Sequence, residues 1–229
     1  SSVTFFISRA LILGREVEVV DLPGIYSLTS SDKTAGKAES FLLDEPYDLI
    51  INVVDASRLG RSLELSQQLL ELERPLIVAL NMMDEAARGG MEVAPESLAQ
   101  HLGVPVVPTV GRQGLGLKEL FRVALQHAHT GRPGVPLPLD REVEEALAGA
   151  VALLEGNRRR FTMPSRFAAR KLPGSVTSPL SPFIRQNPPK GIQLRVKSVP
   201  PALNTLNIFG GYPKPNSSTS ILFRRARMK

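Results

Sequence analysis

Apolar runs alternate with amphipathic stretches over the first 130 residues, and this alternation predicts an α/β fold. Continuous apolar runs bounded by acidic or turn residues predict four strands, at Val17–Asp21, Asp48–Asp55, Pro75–Asn81 and Val104–Pro108. Helical spacing of apolar residues predicts four helices, at Ala35–Leu43, Ser62–Glu73, Pro95–Leu102 and Leu117–His127. Because strand and helix alternate, we expect a mostly parallel sheet with flanking helices.

A hairpin is expected near the start of the chain. Ile7–Leu13 and Val17–Val20 flank Gly14, which lacks a side chain and therefore tolerates the positive φ angles of a tight turn. A further amphipathic helix is predicted at Asp140–Gly156, after a linker that three prolines make stiff.

Charge is distributed unevenly along the chain, whose net charge is +6. Residues 1–156 hold 13 basic and 22 acidic residues, whereas residues 157–229 hold 15 basic residues and no acidic one. Ten of the 19 prolines also lie in this last third. The composition predicts that residues 173–229 form a basic, proline-rich tail without regular structure. An arm that binds nucleic acid or anionic lipid is the functional alternative, and a frame-shifted translation is a third interpretation.

Composition also excludes some kinds of site. The chain has no cysteine, which rules out disulfides, thiolate metal sites and a cysteine nucleophile. No apolar run approaches 18 residues, so none is expected to span a membrane. His101, His127 and His129 have no carboxylate cluster at ligand spacing, and we expect them at helix ends or in solvent.

Three of the predicted strands end in a polar residue: Asp21, Asp55 and Asn81. Ligands of parallel α/β sheets bind at the carboxyl ends of the strands. These residues are therefore the first indication of a binding site.

The first candidate motif is Asp21-Leu22-Pro23-Gly24, directly after a strand. An aspartate at a strand end can hold Mg²⁺ through a bound water, and a glycine lets its N–H approach a terminal phosphate unhindered. Taken alone, the four residues are more typical of a plain strand-to-loop turn.

The second candidate motif is Asn81-Met82-Met83-Asp84 at the end of the third strand. One carboxylate can accept both N–H groups on the edge of a guanine, whereas adenine presents the opposite pattern. The asparagine can tie neighbouring loops together and contact the ring. The alternative is an ordinary helix N-cap.

The third candidate is Thr109-Val110-Gly111-Arg112, after the fourth strand. A backbone N–H at this position can reach the carbonyl oxygen of a guanine. By itself the segment is better explained as a simple loop. The three motifs together, each after a strand and in this order, indicate the GTPase superfamily.

The chain resembles the G domain of the ferrous iron transport protein B family, from about Arg15 to about Ala128. The likeness rests on VEVVDLPGIYSL, INVVDASRL, LIVALNMMDEA and LGVPVVPTVGRQGLGLKEL, and on Met82, where most GTPases have lysine. It continues through Asp140–Gly156 and the stretch PSRFAARKL. Residues 1–13 do not resemble the family, and neither does the chain beyond Lys171.

The resemblance implies a Ras-like, P-loop-NTPase-like sheet and a role for each motif. Asp21 would serve Mg²⁺ through water, Gly24 the γ-phosphate, and Ile25–Ser40 would be the second switch region. The implied GTP- or GDP-binding set is Asp21, Leu22, Pro23, Gly24, Asn81, Met82, Met83, Asp84, Val110, Gly111 and Arg112. Catalytic residues are not identified.

The phosphate-binding pattern GxxxxGK[ST] does not occur in the 229 residues. In GTPases that loop supplies most of the contacts with the phosphates of the nucleotide. The strand that precedes it in the family lies between the strands ending at Asp21 and Asp55, so we expect a gap there with unpaired backbone groups. The chain is interpreted as a truncated fragment that binds GTP weakly and hydrolyses none measurably.

The expected organisation is therefore a partial G domain at 1–130, a linker and the start of a helical domain at 131–172, and the tail at 173–229. The full-length protein would regulate Fe(II) uptake from the cytoplasmic side of the bacterial inner membrane. Its partners would be a guanine nucleotide and a transmembrane domain, with a homo-oligomer possible and nucleic acid not expected. Two alternatives remain open: an RNA-associated GTPase of the ribosome-assembly type, and a non-catalytic remnant with an interaction role.

Overall fold

The computed structural model describes residues 5–29, 33–131, 133–139, 141–155, 163–171 and 219–225. Its centre is a six-stranded sheet in the order β1-β2-β6-β3-β4-β5. The strands are β1 (Phe6–Ile12), β2 (Arg15–Asp21), β3 (Leu49–Asp55), β4 (Leu76–Asn81), β5 (Val106–Pro108) and β6 (Thr219–Arg225). The predicted α/β class is confirmed.

The strands β2, β3, β4 and β5 all run in the same direction. β3 pairs with β4 and β4 with β5 in parallel, and β6 lies antiparallel to both β2 and β3. The predicted hairpin is also confirmed, since β1 pairs antiparallel with β2 along its whole length. Its turn is formed by Leu13 and Gly14, with φ angles of 48° and 76°. Left-handed conformations at both central positions match the right-handed twist of the two strands.

Seven helices occur in the described part of the chain: α1 (Lys33–Asp44), α2 (Leu59–Leu70), α3 (Met83–Arg88), α4 (Pro95–Leu102), α5 (Leu117–Thr130), α6 (Arg141–Glu155) and α7 (Ser165–Arg170). The five helices predicted from spacing are confirmed. The bounds of α4 agree at both ends because Pro95 occupies its first turn and Gly103, at φ 65°, ends it.

Apolar side chains cover both faces of the sheet, which explains why β3 is apolar along nearly its whole length. On one face Ile50, Val54 and Val78 pack with leucines of α1, α2 and α4. On the other face Leu49, Ile51, Ile77 and Ala79 pack against α5. Phe167 of α7 is 1% exposed and belongs to the first of these clusters. Helix α7 is therefore part of the main core.

β6 departs from the sequence-based expectation. It lies within residues 173–229, where the composition predicts no regular structure, yet Thr219–Arg225 forms an interior strand. It also occupies the place between β2 and β3 where we expected a gap. The physical reason is that those two strands offer unpaired backbone groups, which an extended segment from elsewhere in the chain can satisfy. The remainder of 173–229 lies outside the described residues.

No helix in the described ranges combines the length and the apolar character needed to cross a lipid bilayer.

Candidate functional site

The predicted site residues lie along the carboxyl edge of the parallel strands. Asp55 and Asn81 stand side by side, because they are partners in the β3–β4 ladder. Asp21 ends β2 at the same edge. Across β6 it lies opposite Ile51 of β3, because both residues pair with Ile221. That position is four residues before the end of β3, or about 13 Å along the strand direction. The edge therefore presents the Asp21 turn on one side and the Asn81 loop on the other.

Asn81 joins the end of β4 to the loop after β5. Its Oδ1 accepts hydrogen bonds from the backbone N–H of Gly111, at 2.9 Å, and from the hydroxyl of Thr109, at 3.3 Å. The backbone adds a bond from Thr109 N to Leu80 O of 2.8 Å. The second and third candidate motifs are thus brought together, and the side chain of Asn81 fixes one against the other.

The turn after Asn81 places Asp84 on a helix start. Met82 adopts a left-handed conformation with φ 61°, and it occupies the N-cap position of α3 without a side-chain cap bond. Asn81 is therefore not the N-cap of α3, so the alternative interpretation of this motif as an ordinary helix N-cap does not apply to Asn81. Met82 and Met83 are both partly buried, and Met83 packs against the main core.

Asp84 is held between two arginines. Its Oδ2 accepts a hydrogen bond of 3.2 Å from Arg88, one turn further along α3, and forms a close ion pair with Arg112 of the β5 loop. The carboxylate is 22% exposed, so a ligand could reach it from solvent. Its charge is already compensated in this structure.

The loop after β5 is a compact turn. Val110 and Leu115 form an isolated antiparallel bridge around the short 3-10 turn Gly111–Gln113. Gly116 follows with φ 78°, and a Cβ atom at this position would overlap the carbonyl oxygen of Pro108. The loop that faces Asn81 and Asp84 is therefore pre-shaped by its glycines.

Asp21 is half-buried, and burial raises the pKa of its carboxyl above the ordinary value. Leu22, only 1% exposed, anchors the turn in the core, Pro23 is partly buried and Gly24 is exposed. The backbone of Gly24 is thus accessible from solvent.

Asp55, the polar residue that ends β3, has a local role instead. Its Oδ1 accepts hydrogen bonds from the N–H and the hydroxyl of Ser57, at 2.8 and 2.6 Å. It caps the turn that follows β3.

Sequence reasoning missed the residues that hold the segment after Gly24. Gln68 of α2 is buried, and its Oε1 accepts a bond of 2.5 Å from Leu28 N while its Nε2 donates to Ser27 Oγ at 2.8 Å. The guanidinium of Arg61, also on α2, lies 3.7 Å from the ring centroid of Tyr26. The sequence does contain one signal that could have identified Gln68, because it is a glutamine among the leucines on the buried face of α2.

Within the described residues, no group of three or more histidine, cysteine or acidic side chains could hold a metal ion.

A sequence model of the family described as ferrous iron transport protein B matches residues 3–124. The match begins before Arg15, so the interpretation that residues 1–13 lie outside the family likeness is wrong. The hairpin explains the omission, since β1 carries none of the motifs that guided the comparison.

Named relatives are Fe²⁺ transporters. A fusion protein of Fe²⁺ transport protein A and the transporter FeoB from Porphyromonas gingivalis is 37% identical over 163 residues, which is 69% of this chain and 19% of the relative. FeoB of Salmonella typhimurium is 42% identical over 146 residues, 60% of this chain and 18% of the relative. The chain thus matches about a fifth of the length of these relatives.

Solved structures give the same result. The cytosolic domain of L. pneumophila FeoB is 30% identical, with a TM-score of 0.66 over 79% of this chain and 77% of that one. The cytosolic domain of T. maritima FeoB in a GDP form is also 30% identical, with a TM-score of 0.68 over 76% of this chain and 69% of that one.

Proposed function

Since the chain belongs to the ferrous iron transport protein B family, we propose that it binds a guanine nucleotide at the carboxyl edge of its sheet. The observation that carries the proposal is the joined pair of loops at Asn81 and Gly111. It brings the amide of Asn81, the carboxylate of Asp84 and the loop after β5 together at the end of β4. Structures of the T. maritima relative in GDP and GMPPNP forms support this assignment.

The base would be read by Asp84, whose two oxygens can accept the ring N–H and the exocyclic amine of guanine. Asn81 would position Val110, Gly111 and Arg112 behind the base, so that a backbone N–H reaches the guanine carbonyl. Met82 would cover the ring with its thioether chain. Adenine would leave the buried acceptors unpaired, and it would therefore bind less well.

The phosphates would extend toward Asp21 and Gly24. Asp21 fits a magnesium ion held through water, because its carboxyl lies at the strand end and is only half-buried. Gly24 would offer its exposed N–H to the terminal phosphate. The ion would supply positive charge to the phosphate oxygens when it is bound.

We propose further that this chain binds GTP weakly and does not hydrolyse it measurably. No GxxxxGK[ST] pattern occurs in its 229 residues, so the phosphates lack the backbone cradle and lysine that such a loop provides. In a longer protein, nucleotide binding here would regulate Fe²⁺ uptake through a transmembrane domain, with this domain on the cytoplasmic side of the membrane.

Calorimetric titration of the full chain with GDP and with ADP tests the base-reading role. We expect weaker than micromolar GDP binding in the wild type, at least about a tenfold further loss for Asp84→Ala, and no change in the response to ADP. Glu85→Ala is the matched control, because Glu85 follows Asp84 on α3 and also pairs with Arg88.

Equal affinity for GDP and ADP, or an equal loss from both substitutions, would contradict the proposal. Saturable binding with a micromolar constant would contradict the claim of weak affinity. No binding at millimolar nucleotide would favour the non-catalytic interaction role.

A further inference from the structure

We propose that the outer edge of β1 is an interaction surface, and that its partner is the same edge in a second copy of this chain. The two strands pair antiparallel across a two-fold axis that passes through Arg9, so that two sheets become one. This surface, formed by Phe6–Ile12, is called the β1 edge below. The proposal does not depend on nucleotide binding.

The first argument is the position of β1 in the sheet. Among the described strands β1 stands at one end of the order, with β2 as its neighbour. The two strands pair over seven consecutive residues, from Phe6↔Asp21 to Ile12↔Arg15. A regular strand at the end of a sheet presents a row of backbone donors and acceptors with which another strand can pair.

The second argument is the composition of the β1 edge. Edge strands of monomeric proteins are usually protected by lysine, by proline or by a bulge. The segment FISRALI contains neither lysine nor proline, and its register with β2 is uninterrupted. It exposes large apolar side chains instead, since Ile7 is 60% and Leu11 is 76% exposed. Both lie on the same face of the strand because they are four residues apart. The edge is therefore suited to be covered by another strand.

The third argument is the symmetry of the segment, which indicates a second copy as the partner. A two-fold contact requires that residue i matches residue j and that j matches i. With Arg9 on the axis, the other pairs are Ile7 with Leu11, Phe6 with Ile12 and Ser8 with Ala10. Large apolar residues thus lie opposite large apolar residues, and small residues opposite small ones. Moving the axis by one residue along the strand would place Arg9 opposite Ile7 or Leu11 and lose this match.

The fourth argument is the charge at the axis. Two arginines opposite each other are unfavourable by themselves. Each Arg9, however, faces Glu18 of its own β2, with Nε 3.8 Å from the carboxylate oxygen. The row across the axis therefore carries two glutamates and two arginines, and its net charge is zero.

The size of the contact predicts a weak dimer. One strand of seven residues from each copy buries less than the roughly 1,600 Å² of a standard stable complex. We therefore expect a dissociation constant on the order of 10–100 µM and a monomer in dilute solution.

Cysteine cross-linking of the full chain tests the register, because the natural chain has no cysteine. In Arg9→Cys the two thiols lie opposite each other, with Cα atoms about 4.5–5.5 Å apart, which suits a disulfide. In Ser8→Cys, the matched control, they are two residues apart along the strands, beyond the limit of about 7 Å. Under mild oxidation we expect Arg9→Cys to form dimers at least about tenfold faster than Ser8→Cys. A mixture of Ser8→Cys and Ala10→Cys should form mixed dimers, which mass spectrometry distinguishes.

Sedimentation equilibrium of the full chain tests the surface. Leu11→Lys places a charge opposite Ile7 and diagonal to Arg9 of the second copy, and it should weaken dimer formation at least about tenfold. Leu153→Lys is the matched control, because Leu153 of α6 is 74% exposed and lies outside the β1 edge. It should leave the dissociation constant unchanged.

The proposal is overturned if the wild type stays monomeric up to about 200 µM, well above the expected constant. It is equally overturned if Arg9→Cys and Ser8→Cys form dimers at the same rate, or if the two lysine substitutions have the same effect. Growth of the wild type beyond a dimer would show indiscriminate association, and it would also overturn a closed two-fold contact.

Discussion

Asp84 and Arg112 lie 28 residues apart in the sequence and pair at the carboxyl edge of the sheet. The carboxylate proposed to read guanine is therefore already paired, and a base must share it with the arginine or displace it. In the proposed site the backbone of Arg112 would stand behind the base, while its side chain would compete with the base for Asp84. Both side chains are partly exposed, at 32% and 22%, which limits the strength of the pair.

Replacement of Arg112 by alanine should therefore strengthen guanine nucleotide binding by about two- to fivefold, the range of a partly exposed ion pair. The backbone and its proposed contact with the base are unchanged by this substitution. GDP titration of the full chain measures the effect, and Arg122→Ala, which removes an exposed arginine of α5 paired with Glu119, is the control. A loss of affinity would mean that the Arg112 side chain itself contacts the nucleotide.

At the scale of elements, a buried charge cluster joins α2 to α7. Glu71, directly after α2, has a fully buried carboxylate that lies 3.2 Å from Arg170 and 3.6 Å from Arg166. Burial raises the pKa of the Glu71 carboxyl, and the two arginines oppose that rise. Arg166 also binds both carboxylate oxygens of Glu144 on α6, whose pKa this contact lowers. The cluster connects three helices.

Arg170→Met should lower the free energy of unfolding by about 3–5 kcal/mol at pH 7, because the Glu71 charge then lacks its closest partner. A carboxyl with a raised pKa holds its proton in the folded state to higher pH than in the unfolded state. Its contribution to stability therefore decreases as pH rises from about 4.5 through the folded pKa. The loss caused by Arg170→Met should thus be smaller near pH 4.5 than at pH 7.

Urea unfolding at the two pH values measures this difference. Arg122→Met removes an exposed arginine instead, and it should leave the unfolding midpoint almost unchanged at both. A loss of equal size at pH 4.5 and pH 7 would show that Arg170 contributes through packing rather than through the Glu71 charge.

At the scale of the whole molecule, α7 joins the core of the sheet to a smaller cluster that it forms with α6. The sequence suggests a boundary after residue 130, since prolines follow and the helical pattern begins anew. In the structure Phe167 enters the main cluster, and Ala168 and Ala169 pack against Leu147 and Leu154 of α6. The segment from α6 to α7 is therefore expected to unfold together with the sheet.

Phe167→Ala should lower the free energy of unfolding by about 3–5 kcal/mol, because it leaves a cavity in the main core. Thermal unfolding followed by circular dichroism should show one transition, shifted to lower temperature. Leu11→Ala is the control, since Leu11 is 76% exposed on the outer strand β1, and it should change the midpoint little. A second transition in the wild type, or an unshifted main transition in Phe167→Ala, would mean that α7 forms an independent unit.

The local pattern of the sequence determined the strands β2 to β5, the main helices and the order of the three motifs along one sheet edge. Hydrophobic periodicity and turn chemistry act over a few residues, so they can be read directly, as Pro95 and Gly103 show at the ends of α4. The roles of Asp21, Asn81 and Asp84 stay predictions that rest on the family likeness and on this edge.

Tertiary structure alone decided which distant segments meet. The insertion of Thr219–Arg225 between β2 and β3, the pairing of Asp84 with Arg112, and the contact of Gln68 with Leu28 each join residues that are far apart in the sequence. Short-range pattern carries no information about such partners. Where the groups are buried, as in the β6 pairing and the Gln68 contact, the partners are selected by the requirement that buried polar groups be paired once the core has formed.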